Sequence, residues 1–538
     1  MTTSRIRLGD GQALLVAGFA ACVSVVSFLY YFRRGEILLY GDAVAHIDIA
    51  RKVFDSRTPG LLQLGTVWLP LPHLLMIPFL FSDWMWKTGL GGSIPSMIAY
   101  VLGVLGIFRL TRDALLIAHF SNHSPLAAWA AAITYAANPN LIYLQSTAMT
   151  EALYLALFIW AMVYFVDMIG NTPNSRSASL KCGLCLLGAC LTRYDGWFLA
   201  AAICGGTVFS LVKQDSGLGL KRDLRKLFLL AAAGPIFWLA YNTAIYRNPL
   251  EFANGAYSAQ AIERKTSTPG TPPHPGTANP VVAAQYVLKS AELNMTNRQW
   301  LQRLWLMLAI TASVLWVSRT AFLQPLLLLW IPVPFYALSI AYGGVPLFLP
   351  VWWPFSHYNI RYGLELLPAL AIFSALAIYF IAGKILNTKE RIALLVIVFT
   401  LLAVSYGSTF RAPLCFREAW INSRTRIAVE KELAAYLDGL PPNSTILMYL
   451  GDHVGAVQQA GIPLRRVIHE GNHRVWKQPY DPEGLWERAL ANPEKYVDYV
   501  IAFEGDAVSS GIHKANLNPM KVIDVPGQAR ATIYRSSI

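Results

Sequence analysis

Residues 358–382, YNIRYGLELLPALAIFSALAIYFIA, contain two charged residues, Arg361 and Glu365, and no charge from 366 onward. An apolar helix of roughly 20 residues is long enough to cross the hydrocarbon core of a bilayer. Ionisable side chains are costly inside lipid, so charges at one end of such a span indicate the membrane boundary. The stretch therefore predicts a membrane helix whose N-terminal turn carries an arginine and a glutamate.

Apolar stretches of this kind recur along the chain. They lie at 12–32, 93–110, 125–138, 148–168, 178–192, 195–213, 227–246, 299–318, 322–342 and 391–409. Of the 538 residues, 55% are hydrophobic and only 14% are charged, against about 25% charged in soluble proteins. The fold class predicted is mainly α, a polytopic membrane protein with about 11 transmembrane helices and a retained first helix.

One further apolar stretch, 66–82, contains Pro70, Pro72 and Pro78. Proline interrupts helices, so this segment predicts a helix that lies in the interface or re-enters the membrane. The six cysteines form no disulfide framework. Cys182 and Cys185 have zinc-like spacing, but a second pair is absent, and they are interpreted as small apolar core residues. The net charge of +13 does not indicate nucleic-acid binding, because many basic residues lie between apolar spans.

The basic residues also predict orientation. Lys and Arg fall in the short connections that share one side, near 109–112, 213–226, 319 and 384–391, while 139–147 and 343–356 contain none. The positive-inside rule then places the N-terminus in the cytoplasm and the C-terminus outside, in a bacterial inner or plasma membrane. Loops 33–66 and 247–298 become external. The Pro-rich part of the second, 266–280, predicts no regular structure and suggests a mobile cover.

The pattern changes after residue 410. Stretches 444–450, 496–503, 520–525 and 531–534 predict short buried strands, and 425–438 and 484–491 predict helices. Two domains follow: a membrane core over 1–410 and an external soluble α/β domain over 411–538.

Several ionisable residues fall at the external boundary in this topology. They are Asp42 and His46 in the first loop, Glu151 at the start of a span, Arg193 and Asp195 in a turn between spans, and His357, Arg361 and Glu365 before another. Charged side chains at the membrane are energetically costly. Because several of them lie at the same depth, they predict a functional site.

Each of these residues also has an ordinary explanation. Asp42 follows Gly41 and is either a helix cap or a catalytic carboxylate on the face of His46. Asp48 lies four residues before Lys52, and this spacing predicts a surface ion pair between them. Arg361 either pairs with Glu365 or binds phosphate, for which a planar guanidinium is suited. Arg193 and Asp195 could simply flank a span, and Glu151 could be a helix N-terminal carboxylate that the helix dipole stabilises.

The sequence resembles the C-type (GT-C) membrane glycosyltransferases, and among them the protein O-mannosyltransferases and bacterial aminoarabinose transferases. The resemblance lies in Gly41-Asp42 with His46, the WLPLPH segment from Trp68 to His73, Thr150-Glu151, the RYDG segment from Arg193, and Arg361-Tyr362 followed by Leu366-Leu-Pro368. Asp42 is followed by Ala43 where many of these enzymes have an Asp-Glu doublet, and Trp352-Trp353 is followed by proline where oligosaccharyltransferases have aspartate.

The resemblance implies a GT-C glycosyltransferase, hexosyl or mannosyl in type, with a polyprenyl-phosphate sugar as donor. The acceptor would be a lipid, glycan or protein on the external face, reached among membrane lipids. A lipid phosphate leaves without a general acid, so the enzyme needs a base for the acceptor hydroxyl and positive charge for the phosphate. Asp42 takes the first role. Arg361, Tyr362 and Arg193 take the second, and direct displacement would invert the anomeric carbon.

The remaining candidates have supporting or acceptor-binding roles: His46, His73, Glu151, Asp195 and His357. His46 and His73 could hold a divalent metal with Asp42, or serve as hydrogen-bonding groups; no cofactor is required by the sequence. The alternative function is a transporter or lipid flippase for a polyprenyl-linked or glycan substrate. Such proteins place binding charges near the bilayer midplane and often contain internal repeats.

Overall fold

The structure is a computed structural model. It describes residues 11–536 apart from 121–123, 171–174, 214–217, 267–269, 271, 321–323, 386, 473–482 and 513–516. Parts of the basic connection 213–226 and of the Pro-rich stretch 266–280 therefore lie outside the described residues.

Helices make up most of the first 410 residues. They are α1 (Gly11–Arg33), α2 (Gly41–Lys52), α3 (Leu71–Leu80), α4 (Asp83–Thr88), α5 (Leu90–Ile117), α6 (Ser124–Ala136), α7 (Pro139–Gln145), α8 (Glu151–Ile169), α9 (Ser175–Cys190), α10 (Asp195–Lys213), α11 (Leu218–Tyr246), α12 (Glu251–Asn254), α13 (Ala259–Thr266), α14 (Pro280–Met295), α15 (Gln299–Arg319), α16 (Pro332–Tyr342), α17 (Leu367–Ala382) and α18 (Thr388–Phe410). Among the described residues, eight helical segments are long and apolar enough to cross a membrane. Shorter apolar helices accompany them over 71–80, 177–190 and 195–209. The mainly α, polytopic membrane fold is confirmed.

Helix α17 lies at the centre of the bundle. It is apolar on every side and buried along almost its whole length, as expected for a helix surrounded by other helices. Helices α1 and α18 lie at the periphery and expose Leu14, Val26 and Val396. Large exposed apolar side chains on long helices are the surface that lipid covers.

Prolines divide two of the predicted spans. In 322–342, a 3-10 helix (Gln324–Trp330) precedes α16, and in 358–382 another (Ile360–Leu366) precedes α17. Pro332 and Pro368 occupy the first turn of each α-helix, where their missing N–H groups are tolerated. The 3-10 helix before α17 carries Arg361, so the α-helix begins at Leu367 and not at the predicted residue 358, while its end at Ala382 is as predicted.

The C-terminal region contains α19 (Leu414–Asp438), α20 (Val454–Ala460), α21 (Leu485–Ala491) and α22 (Ala507–Gly511), with strands β1 (Ile446–Met448), β2 (Val467–Ile468), β3 (Tyr499–Phe503), β4 (Leu517–Ile523) and β5 (Ala531–Ser536). The strand order is β2-β1-β3-β5-β4. Strand β1 is parallel to β2 and β3, while β5 is antiparallel to β3 and β4. Four strands were predicted; the two-residue β2 was missed because it is too short to show alternation.

The C-terminal region packs against the first loop. Asp55 follows α2 and accepts hydrogen bonds from Arg51 Nε at 2.8 Å and from Arg465 Nη1 at 3.1 Å. Gln458 on α20 donates to the carbonyl of Trp86 at 2.7 Å. These contacts hold α2 between the membrane helices and the sheet.

Candidate active site

Asp42 lies in the first turn of α2, and its carboxylate points to the membrane core. Its Oδ2 lies 2.7 Å from Nη2 of Arg361. The residue at the cap position of α2 is Tyr40, and no side chain caps this helix. The helix-cap interpretation of Asp42 is therefore wrong.

Arg361 is surrounded by carboxylates from three other parts of the chain. Beside the Asp42 contact, its Nε lies 3.0 Å from Oε1 of Glu151 and its Nη1 lies 3.1 Å from Oε1 of Glu418. Glu365 is not a partner of Arg361, so the predicted Arg361–Glu365 pair is wrong. In a 3-10 helix, residues four apart do not stack as they do in an α-helix.

Arg193 forms a second centre directly beside the first. Its Nε lies 3.2 Å from Asp195 and 3.6 Å from Glu365, and its Nη1 lies 3.3 Å from Glu151. Nη2 donates to the hydroxyl of Tyr336 at 2.7 Å, and that hydroxyl donates to Asp195 at 3.0 Å. The turn between α9 and α10 thus places Arg193 beside the other charged residues that the sequence predicted at the site.

Glu151 and Tyr362 join the two centres. Oε1 of Glu151 contacts both arginines, while its Oε2 has no hydrogen-bond partner among the described residues. The Tyr362 ring stacks on Tyr336 at 4.7 Å, and both guanidinium groups lie 5.4 Å from its centre. Glu151, the first residue of α8, therefore bridges the two cations.

We refer to the charged residues gathered here as the carboxylate–arginine cluster: Asp42, Glu151, Arg193, Asp195, Arg361, Glu365 and Glu418. Its side chains differ strongly in exposure. The Asp42 side chain is 37% exposed and Arg361 11%, whereas Glu151 is 1% exposed. The cluster is therefore accessible at Asp42, with the other carboxylates behind the arginines.

His46 and His73 form a buried pair beside the cluster. His46 Nδ1 lies 2.9 Å from His73 Nε2, and the His46 ring packs 4.7 Å from the ring of Trp68. Burial, and then the positive charge of Arg361 and Arg193, lowers the pKa of His46 to about 3. The histidine pair is therefore neutral at physiological pH, with one ring donating to the other.

A metal site with Asp42, His46 and His73 as ligands was one expectation. In the structure the histidines face each other, and the Asp42 carboxylate is held by Arg361. Within the described residues, no group of three or more His, Cys, Asp or Glu side chains has an arrangement that could hold a metal ion. The geometry favours the hydrogen-bonding role for the two histidines.

His357 lies apart from these contacts. Its carbonyl accepts from Asn422 at 3.0 Å, and no hydrogen bond to its ring Nε2 is found in the described part of the chain. Burial, followed by the charge of Arg417, lowers the pKa of the His357 ring. The sequence placed this residue near the site, and the structure gives it no contact with the cluster.

Asp48 is not the surface ion-pair partner that its spacing from Lys52 predicted. Its side chain is buried and accepts a hydrogen bond from Trp86 Nε1 at 2.9 Å. Burial raises the pKa of Asp48 to about 7. The prediction is wrong because α4, which carries Trp86, covers this face of α2.

Sequence reasoning missed Glu418 and Tyr336. Glu418 lies one turn into α19, in a stretch interpreted as part of a soluble domain and therefore as solvent-facing. Tyr336 lies within an apolar span, where a tyrosine is unremarkable. The available signal for Glu418 was a charged pair, Arg417-Glu418, within the otherwise apolar stretch LCFREAW at 414–420.

Comparison with known proteins identifies similar structures but no similar sequences. No family model matches the sequence, and no curated protein does. ArnT from Cupriavidus metallidurans bound to undecaprenyl phosphate superposes with a TM-score of 0.56 at 14% identity, over 98% of both chains. The apo state of ArnT gives 0.55 at 15% identity, over 97% of both chains. An oligosaccharyltransferase of Archaeoglobus fulgidus, tethered with an acceptor peptide, gives 0.45 at 13%, over 99% of this chain and 74% of its own. The match to ArnT confirms the fold expected from the resemblance, across membrane and C-terminal regions alike.

Proposed function

We propose that this chain, which has the GT-C fold of ArnT, is a membrane glycosyltransferase that uses a polyprenyl-phosphate-linked sugar as donor. The observation that carries the proposal is the contact between Asp42 and Arg361 at the accessible edge of the cluster. A carboxylate base and a phosphate-binding cation are the two groups that such a transfer requires. Residues 319 positions apart in the sequence supply them within 2.7 Å.

The reaction follows from these two groups. The acceptor hydroxyl gives its proton to the Asp42 carboxylate while its oxygen attacks the anomeric carbon. The bond from that carbon to the phosphate oxygen breaks, and the electron pair stays on the polyprenyl phosphate. Arg361 stabilises the charge that collects on the leaving phosphate. Because the bonds form and break on opposite faces, the configuration at the anomeric carbon inverts.

The neighbouring residues have supporting roles in this proposal. Arg193 adds a second positive charge beside Arg361, and the Tyr362 ring lies against both guanidinium groups. Glu151 and Asp195 hold the arginines in place through the contacts described above. His46 and His73 support the site from the buried side of α2, where they bond to each other.

The positions of the charges favour a transferase over a transporter or flippase. Glu151 and Asp195 begin α8 and α10, Asp42 lies in the first turn of α2, and Arg361 precedes α17. Transporters usually bind substrate near the middle of broken membrane helices. A cluster built from helix ends instead meets a substrate at a membrane surface, where a lipid phosphate group lies.

The donor proposed is an undecaprenyl or related polyprenyl phosphate carrying a hexosyl sugar, with mannosyl transfer as the specific expectation. The acceptor is a hydroxyl of a lipid, glycan or protein on the external face. In cells that lack the protein, we expect the unused donor to accumulate, and mass spectrometry of lipid extracts would reveal its sugar.

A second measurement separates the transferase from a flippase, since loss of either could make a donor accumulate. Purified protein is incubated with lipid extract from the deletion strain, and free undecaprenyl phosphate is quantified by mass spectrometry. A transferase releases it from the donor in the presence of acceptor, and Asp42→Asn does not. Complete absence of covalent turnover with all cell-envelope fractions as acceptor would refute the proposed function.

A further inference from the structure

Helix α19 contacts both segments that carry the proposed catalytic groups. One is the segment 38–42, which leads into α2 and Asp42. The other is the segment 359–361, which begins the 3-10 helix and ends in Arg361. The two contact points on α19, Arg426 and Glu418, are eight residues apart, which is about 12 Å along an α-helix.

At the Asp42 end, α19 holds the backbone just before α2. Nη2 of Arg426 donates to the carbonyls of Leu38 and Leu39 at 3.1 and 3.0 Å. Nη1 of Arg426 is fixed by both oxygens of Glu430 at 2.8 Å. The Tyr40 hydroxyl donates to the carbonyl of Cys415, in the first turn of α19, at 2.9 Å. Three consecutive residues before α2 are thus tied to one helix.

At the Arg361 end, Glu418 accepts three hydrogen bonds. They come from the backbone N–H of Asn359 at 3.1 Å, the N–H of Ile360 at 2.8 Å and Nη1 of Arg361 at 3.1 Å. The Glu418 side chain is 2% exposed, so no solvent replaces these bonds if they are lost. One carboxylate therefore fixes both the backbone that carries Arg361 and the orientation of its guanidinium group.

We propose that Arg426 and Glu418 are positioning residues, through which α19 sets the separation between the Asp42 carboxylate and the Arg361 guanidinium. The inference rests on the proposed function. It assigns a role in catalysis to two residues outside the predicted membrane core: Arg426 acts through the backbone that precedes Asp42, and Glu418 acts through Arg361 and the backbone before it.

The two residues should have different kinetic signatures. Arg426→Lys keeps the charge but cannot bond two carbonyls and both Glu430 oxygens at once. Misplacing the base should lower the maximal rate by about 10- to 100-fold without weakening undecaprenyl phosphate binding. Glu418→Asp keeps the charge and shortens the reach by one carbon, so it should weaken undecaprenyl phosphate binding by about tenfold through Arg361.

The assay uses full-length protein in detergent micelles. Rates are followed as undecaprenyl phosphate released from deletion-strain lipid extract, and affinity is measured with undecaprenyl phosphate alone. Arg424→Lys and Glu432→Asp are matched controls, because both residues are exposed on α19. Tyr40→Phe is a milder second variant, which removes only the hydroxyl contact to Cys415 and should slow turnover a few-fold.

The outcomes separate this inference from the proposed function. If Asp42→Asn and Arg361→Lys are inactive while Arg426→Lys, Glu418→Asp and Tyr40→Phe behave like the controls, the positioning role is overturned. Equal loss of rate and of binding in both α19 variants, in proportion to the fraction of folded protein, also overturns it. If Asp42→Asn and Arg361→Lys retain wild-type turnover, the proposed roles of Asp42 and Arg361 fail and the positioning role fails with them. If the wild-type protein shows no turnover, the proposed function itself fails.

Discussion

The contact between Asp42 and Arg361 predicts opposite effects of one substitution on binding and on turnover. In the structure Nη2 of Arg361 donates a hydrogen bond to the Asp42 carboxylate. A donor phosphate would bind to the same nitrogen. Asp42→Asn removes the negative charge that competes with phosphate and also removes the base. The variant should therefore bind undecaprenyl phosphate more tightly than the wild type, while its turnover falls by about two to four orders of magnitude.

The size of the gain follows from the geometry of the ion pair. The two side chains lie 2.7 Å apart, with Asp42 37% and Arg361 11% exposed. A charge-assisted contact at a partly exposed position contributes roughly 1 to 2 kcal/mol. Because 1.4 kcal/mol is a factor of ten, the dissociation constant for undecaprenyl phosphate should fall by about 5- to 30-fold.

The measurement is a titration of purified protein with undecaprenyl phosphate at low ionic strength. Asp83→Asn is the control for net charge, since Asp83 is 80% exposed and pairs with Arg51 instead. That variant should bind as the wild type does. Unchanged or weaker binding by Asp42→Asn would refute the reasoning, because phosphate would then not compete with Asp42 for Arg361.

Three further predictions concern other residues. Arg361→Lys should lose most of the transfer activity, since a single ammonium group cannot meet the three carboxylates that the guanidinium contacts; full activity in both Arg361→Lys and Arg361→Ala would leave it a structural residue. The raised pKa of Asp48, about 7, means that the native state keeps a proton which the unfolded chain loses near pH 4, so the free energy of unfolding should fall as pH rises from about 4 to 7. Asp48→Asn keeps an acceptor for Trp86 and should flatten this part of the pH profile of thermal unfolding; an unchanged slope would assign it to other groups. A cysteine in place of exposed Lys431 should react with an impermeant maleimide in intact cells and one in place of Lys389 only after lysis, and the reverse pattern would invert the topology.

The fold was predictable because apolar length and proline positions decide it. Each predicted span from 12–32 to 391–409 coincides with helical structure. The observed helix ends differ from the predicted ones mainly where a helix continues through charged residues. Helix α5 begins at Leu90 and ends at Ile117, beyond the predicted 93–110, because Arg112 and Asp113 are buried there. Arg112 Nε pairs with Asp113 at 3.0 Å, so these charges are accommodated inside the helix.

The site was predictable only as a set of charges at one level. The sequence identified Asp42, Glu151, Arg193 and Arg361, but their pairing depends on distances between helices that are far apart in the chain. Local spacing suggested i,i+4 partners, and for Arg361 the actual partners come from α2, α8 and α19 instead. Glu418 was missed for the same reason, because its burial is created by the packing of α19 against the segment before α17.

The single oxygen of Glu151 that contacts both arginines has a consequence for mutational analysis. Its Oε1 lies 3.3 Å from Arg193 and 3.0 Å from Arg361. Removing either arginine frees Glu151 to turn fully to the other, which changes the charge balance at a position that was not substituted. Effects of single alanine variants here will therefore not add, and each will include a rearrangement of its neighbour. Individual contributions of the two arginines become measurable only in a background where Glu151 is replaced by an uncharged residue of equal size, such as glutamine.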